Sequence, residues 1–194
     1  MPNHDFTLCS ALYYDSIIYY EQARIHEESG DQNAAERYMR SSLLAAFSFF
    51  EAQINQIAFA NAQAHGGVLG QIEKDVLEEM ETLVDDRGNI VRKAKFYRTE
   101  ARFSLLAYFL SGQEFDRGGE VWQRFCESRE LRDTWTHPKP PFDTWSLTLE
   151  NVRTAIVSVH AVLGRLSEMM DCRMPLWCRP IDDVLNDIRV QSSP

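Results

Sequence analysis

Between Asn3 and His137 the chain contains no proline. A proline inside a helix costs about 3 kcal/mol, so so long a gap suits a helical chain. The four cysteines, Cys9, Cys126, Cys172 and Cys178, show no Cys-x-x-Cys spacing, which argues against a zinc knuckle and a disulfide framework. No run approaches about 18 uncharged apolar residues, and the first residues lack the basic and apolar regions of a signal peptide. A cytoplasmic chain with no membrane partner is therefore expected. There is no Glu-x-x-His pair for a dimetal centre, no Gly-rich phosphate loop and no Gly-x-Ser-x-Gly elbow. The expectation is accordingly no metal and no cofactor. Positive charge is also scarce: 20 Lys and Arg stand against 29 Asp and Glu, for a net charge of −9. That balance disfavours a non-specific nucleic-acid binder. The first 36 residues offer only Arg24 as a base, which disfavours a DNA-reading helix-turn-helix at this end.

What is present is ordinary globular material, 44% apolar and 25% charged over 194 residues, enough for a single domain spanning 1–194. Glycines at 30, 66–67, 70, 88, 112 and 118–119 punctuate the proline-free stretch. They predict helices near 8–29, 32–64, 69–86, 91–111, 119–136 and 147–171, with a short one near 181–189. Asp31 and Thr148 are placed to cap the second and sixth. Leu43, Phe47, Phe50, Ile54 and Ile57 recur at three- and four-residue steps, as do Val152, Ile156, Val159, Leu163 and Leu166. At about 100° per residue each set falls on one helix face. The fold class expected is all-α, an antiparallel bundle of five to seven helices.

Charge is unevenly spread. Residues 73–86 hold seven acids against Lys74, and residues 87–102 hold six bases against Glu100. The expected reading is two solvated helix faces that pair with each other; the sharper one is a local basic patch for phosphate.

One short stretch carries chemistry: Leu131-Arg132-Asp133-Thr134-Trp135-Thr136-His137-Pro138. Its Arg-x4-His spacing is weak evidence alone, because Arg153-x6-His160 matches a similar pattern. Position separates the two. Arg153 and His160 sit two turns apart on one continuous helix, and His160 lies in an apolar run that suits a core histidine with a satisfied ring. Arg132 and His137 would stand about 140° apart on an unbroken helix. Pro138 disfavours helical geometry at His137, and Pro140-Pro141 prevents its resumption, so the histidine is expected to turn off the helix end towards Arg132.

Arg132, Asp133 and His137 match in type and order the motif of the HEPN (higher eukaryotes and prokaryotes nucleotide-binding) family, which the chain resembles over about residues 30–170. Residues 172–194 would be a tail. Glu51 and Asn55, one turn apart at the margin of an apolar stripe, resemble the polar pair that many members carry on an earlier helix. The resemblance implies a metal-independent endoribonuclease whose site forms at a homodimer interface, of the kind found in toxin–antitoxin, defence or stress systems. Arg132 and His137 would be catalytic, with Asp133, Glu51 and Asn55 supporting. Arg129, Lys139, Arg92, Lys93 and Lys95 are the bases offered to RNA. The partners implied are a second copy, RNA and a cognate antitoxin or regulatory protein. Members regulated by nucleotidylation often carry tyrosine two places after the histidine; this chain has Lys139 there. The alternative is a non-catalytic helical module that binds RNA, a nucleotide or a protein partner.

Overall fold

A computed structural model describes residues 8–65, 70–136, 147–171 and 178–191. Among them are seven helices and one two-stranded hairpin: α1 (Leu8–Ser29), α2 (Gln32–His65), α3 (Gln71–Leu77), β1 (Met80–Val84), β2 (Ile90–Ala94), α4 (Thr99–Ser111), α5 (Glu120–Thr136), α6 (Leu149–Met169) and α7 (Ile181–Gln191). The class is mainly helical, as the proline-free sequence implies. The chain falls into two compact units, one made of Met1–Phe50 and Asp116–Pro194, the other of Glu51–Phe115. Helix α2 gives its first half to one and its second half to the other.

In the first unit, α1 turns into α2 at Gly30, whose φ of +83° is open to glycine at no steric cost. The Asp31 carboxylate then accepts from the Ala34 N–H at 3.1 Å, capping α2 as its position predicts. The two helices run antiparallel. The Ser42 hydroxyl donates to the Ser16 carbonyl at 2.6 Å near the middle, while Tyr38 stacks on His26 at one end and Phe49 packs on Tyr13 at the other. Helix α6, capped by Thr148 through the Asn151 N–H at 3.2 Å, buries the face read from its sequence: Val152, Ile156, Val159, Leu163 and Leu166. Phe125 of α5 sits at the centre, its ring 4.6 Å from Phe50, 5.4 Å from Trp122 and 5.7 Å from Phe47. Aromatic pairs at such separations add about 0.5–1.5 kcal/mol each beyond area burial. The stretch Gln32–Gln63 of α2 is long and apolar enough by composition to cross a membrane. In the first unit its Met39, Leu43, Phe47 and Phe50 are nonetheless buried side chains of the protein core.

A buried carboxylate ties α7 to α1. Glu21, 3% exposed, accepts from Arg24 at 2.7 and 3.0 Å and from Arg189 at 3.1 and 3.2 Å. Two guanidinium partners offset the cost of removing this charge from water. Hydrogen bonding from Arg24, helped by Arg189, lowers its carboxyl to about 2.

The second unit corrects the sequence reading. Helices were expected over 69–86 and 91–111; instead α3 stops at Leu77, β1 and β2 pair, and α4 starts only at Thr99. Pairing is antiparallel, with Met80 opposite Ala94, Thr82 opposite Arg92 and Val84 opposite Ile90. The turn explains the change. The Gly88 N–H donates to the Asp85 carbonyl at 2.9 Å, Gly88 takes φ +82°, and the Asp85 carboxylate accepts from the N–H groups of Arg87 (2.9 Å) and Asn89 (2.8 Å). An aspartate-led turn followed by a left-handed glycine is a usual hairpin connection. The two charge runs do pair with each other, though between α3 and the hairpin and across the hairpin itself, not on two helix faces. Arg92 reaches Asp75 (2.9 Å) and Glu78 (2.8 Å), and Lys95 reaches Glu81.

Candidate functional site

At its C-terminal end α5 is described as far as Thr136. His137 and Lys139 themselves lie outside the described residues. Arg132 stands one turn from that end, half-buried, with its guanidinium carbon 5.3 Å from the Phe47 ring centroid. A planar cation at this distance is attracted by the negative face of the ring, which fixes the side chain's direction. Its Nε lies 3.2 Å from Asp133 Oδ1, so these two predicted residues are brought together as an ion pair. The Thr136 hydroxyl donates to the Arg132 carbonyl at 2.9 Å, a back-bond to the residue one turn earlier.

Arg129, Arg132 and Trp135 follow at three-residue steps and so share about 120° of the helix surface. The Trp135 indole N–H is buried and has no hydrogen-bond partner among the described residues. The spacing argument centred on Arg and His does not select this tryptophan; its place on the Arg129–Arg132 face is the signal that could have found it. The two guanidinium groups on this face have the chemistry that suits phosphate.

Glu51 and Asn55 belong to the second unit, whereas Arg132 and Asp133 belong to the first. Asn55 Oδ1 accepts from Arg102 Nη1 at 2.6 Å. Arg102, 5% exposed, also donates to the Leu77 carbonyl at 3.1 Å and lies 3.2 Å from Glu79. A buried cation with one carboxylate and two neutral acceptors is a structural tie, since an uncompensated charge there would be costly. Its sequence signal is position: Arg102 precedes the fully buried Leu106 by one turn and so lies on the apolar face of α4. Of the other bases offered to RNA, Arg92 is ion-paired with Asp75 of α3 and with Glu78, Lys95 with Glu81 of β1, and Lys93 is exposed.

The second Arg/His match is resolved. Arg153 binds both oxygens of Asp182 at 2.9 Å, and His160 Nε2 lies 3.2 Å from the Cys178 carbonyl with its ring beside Tyr13. Arg153 thus ties α6 to α7, and His160 ties it to the segment leading into α7. Cys9, Cys126 and Cys178 are free thiols, and burial pushes Cys178 up to about 12, which leaves it protonated and unreactive at neutral pH. Among the described residues no three His, Cys, Asp or Glu side chains gather as a metal site. Comparison with known protein families, characterised proteins and solved structures finds no match to this chain.

Proposed function

We propose that the protein is a HEPN-like, metal-independent endoribonuclease, with Arg132 and His137 from two copies of the chain forming one composite site. The observation that carries the reading is the guanidinium of Arg132, set over the Phe47 ring and beside Asp133, one turn before the last described residue of α5. In this reading Arg132 binds the scissile phosphate through two parallel N–H donors and stabilises the negative charge that grows on it. Asp133 holds the guanidinium in place before the phosphate arrives. The imidazole of one His137 removes the proton of a ribose 2′-hydroxyl, whose oxygen attacks the adjacent phosphorus. The other copy's imidazole gives a proton to the departing 5′-oxygen. Histidine suits both tasks because its ordinary pKa of about 6.5 lets it hold or release a proton near neutral pH.

The balance of this reaction dictates its products: a 2′,3′-cyclic phosphate on one fragment and a 5′-hydroxyl on the other. The test is incubation of the full chain with single-stranded RNA in excess chelator, followed by analysis of both fragment ends. Cyclic phosphate and 5′-hydroxyl ends that disappear in Arg132→Ala support the proposal. Intact RNA, or cleavage that needs a divalent cation, overturns it.

A second reading has its own support in the ion pairing of Arg92, Lys95 and Arg132 with carboxylates, which leaves little unbalanced positive charge. On that reading the chain is a non-catalytic module binding RNA, a nucleotide or a protein partner, and RNA stays intact in the same assay.

A further inference from the structure

The two outer edges of the hairpin differ. The Lys95 N–H donates to the Glu79 carbonyl at 2.8 Å and the Asp85 N–H to the Asn89 carbonyl at 2.9 Å. Counting inward from both ends by the register, Glu81/Lys93 and Leu83/Val91 are the pairs that exchange ladder bonds. Met80/Ala94, Thr82/Arg92 and Val84/Ile90 are then the alternate pairs, whose backbone N–H and C=O groups point away from the partner strand. On β1 that outward edge is covered: the Thr82 N–H donates to Asp75 Oδ2 of α3 at 2.9 Å, and α3 packs along β1. On β2 it is open. Every position of the strand except Val91 is exposed.

The open edge has apolar groups at both ends, Ile90 at 77% exposure and Phe96 at 96%. Around it Arg87, Lys93 and Arg98 stand exposed and make no ion pair among the described residues. We propose that the outer edge of β2 docks an extended, acidic segment of a partner protein, added as a third strand. The backbone groups of Ile90, Arg92 and Ala94 supply the ladder, and side chains at the rim select the partner. Charge decides the occupant. Pairing β2 with β2 of a second copy would bring the exposed Lys93 of each strand, and the rim bases Arg87 and Arg98, towards their own copies, and like charges across a ladder repel. The same charges that deter self-pairing attract a strand bearing Asp or Glu. Single-stranded RNA would use the bases but not the backbone edge.

The test uses the full chain and a fluorescent library of peptides of about six residues, a usual strand length, alternating Asp or Glu with Val, Ile or Phe. The expected result is saturable binding that is weakened about tenfold or more by Lys93→Glu and by methylating alternate peptide nitrogens, which removes ladder donors. Ala94→Pro removes an outward N–H without removing a ladder bond, so it should weaken binding while hydrogen exchange at Leu83 and Val91 stays protected. Hydrogen exchange in the unmutated chain gives a readout that needs no variant: Ile90, Arg92 and Ala94 amides should slow on peptide saturation. The proposal is overturned by no binding, by binding indifferent to peptide N-methylation, by protection that appears elsewhere, or by an oligoribonucleotide that binds this edge in place of the peptides.

Discussion

The guanidinium of Arg132 on α5 lies over the ring of Phe47 on α2, 5.3 Å from its centroid. The contact joins two helices of the same unit and holds the one described cation of the proposed site in a fixed direction. Phe47→Leu keeps an apolar side chain but removes the ring. It should cost about 1–2 kcal/mol in urea titration, from lost aromatic packing on Phe125 and lost attraction for the cation. Since it removes no charge, it should slow RNA cleavage less than Arg132→Ala does. Arg132→Lys should behave like the alanine variant, because an ammonium cannot offer the planar two-donor fork.

Glu21 gives the fold a pH dependence of known sign. Its folded-state carboxyl, near 2, lies below the value of about 4.3 for a free glutamate. The stabilisation from Arg24 and Arg189 is therefore complete above about pH 4.3 and is lost as pH falls towards 2. Glu21→Gln should lower stability by about 2 kcal/mol at pH 7 and by much less at pH 3, read from melting curves at both values.

Arg102 and Asn55 separate a structural role from a catalytic one. Arg102→Ala strands the Asn55 and Leu77 acceptors in a buried setting and should destabilise the chain by about 3 kcal/mol. Asn55→Ala removes one acceptor of a buried cation and should cost about 1–2 kcal/mol. Chemical denaturation measures both. With Asn55 committed to Arg102, its alanine variant should change the melting temperature more than the cleavage rate at a temperature where the protein stays folded.

Gly88 tests the hairpin, the element that the sequence reading assigned to helices. At φ +82° an alanine has open space for its Cβ but a strained backbone, so Gly88→Ala should cost about 1 kcal/mol. Faster hydrogen exchange at the ladder amides of Leu83 and Val91 would report it.

Helix positions were legible because their signals are local and repeated. Asp31 and Thr148 cap α2 and α6 through their own side chains, and the stripe from Val152 to Leu166 needs only the helical period to be read. The hairpin was not legible from periodicity, since a ribbon with no fully buried position does not alternate apolar and polar residues. Its evidence lay in Asp85 to Gly88, where a turn residue precedes a left-handed glycine. Arg102 was hidden among the bases of 87–102: a run of like charges reads as a solvated face, and only burial distinguishes the one arginine turned inward. At the proposed site, the helix that carries Arg132 was legible in the sequence, but the pairing with Phe47 is a contact between distant segments that no spacing rule supplies.

The central claim is that Arg132 and His137 cleave RNA together, and the most direct measurement is the initial rate of RNA cleavage in chelator by the unmutated chain and by His137→Ala. The account predicts cleavage by the first and a loss of about a hundredfold or more in the second, the size expected when a general acid–base group is removed. An unchanged rate in His137→Ala would contradict it.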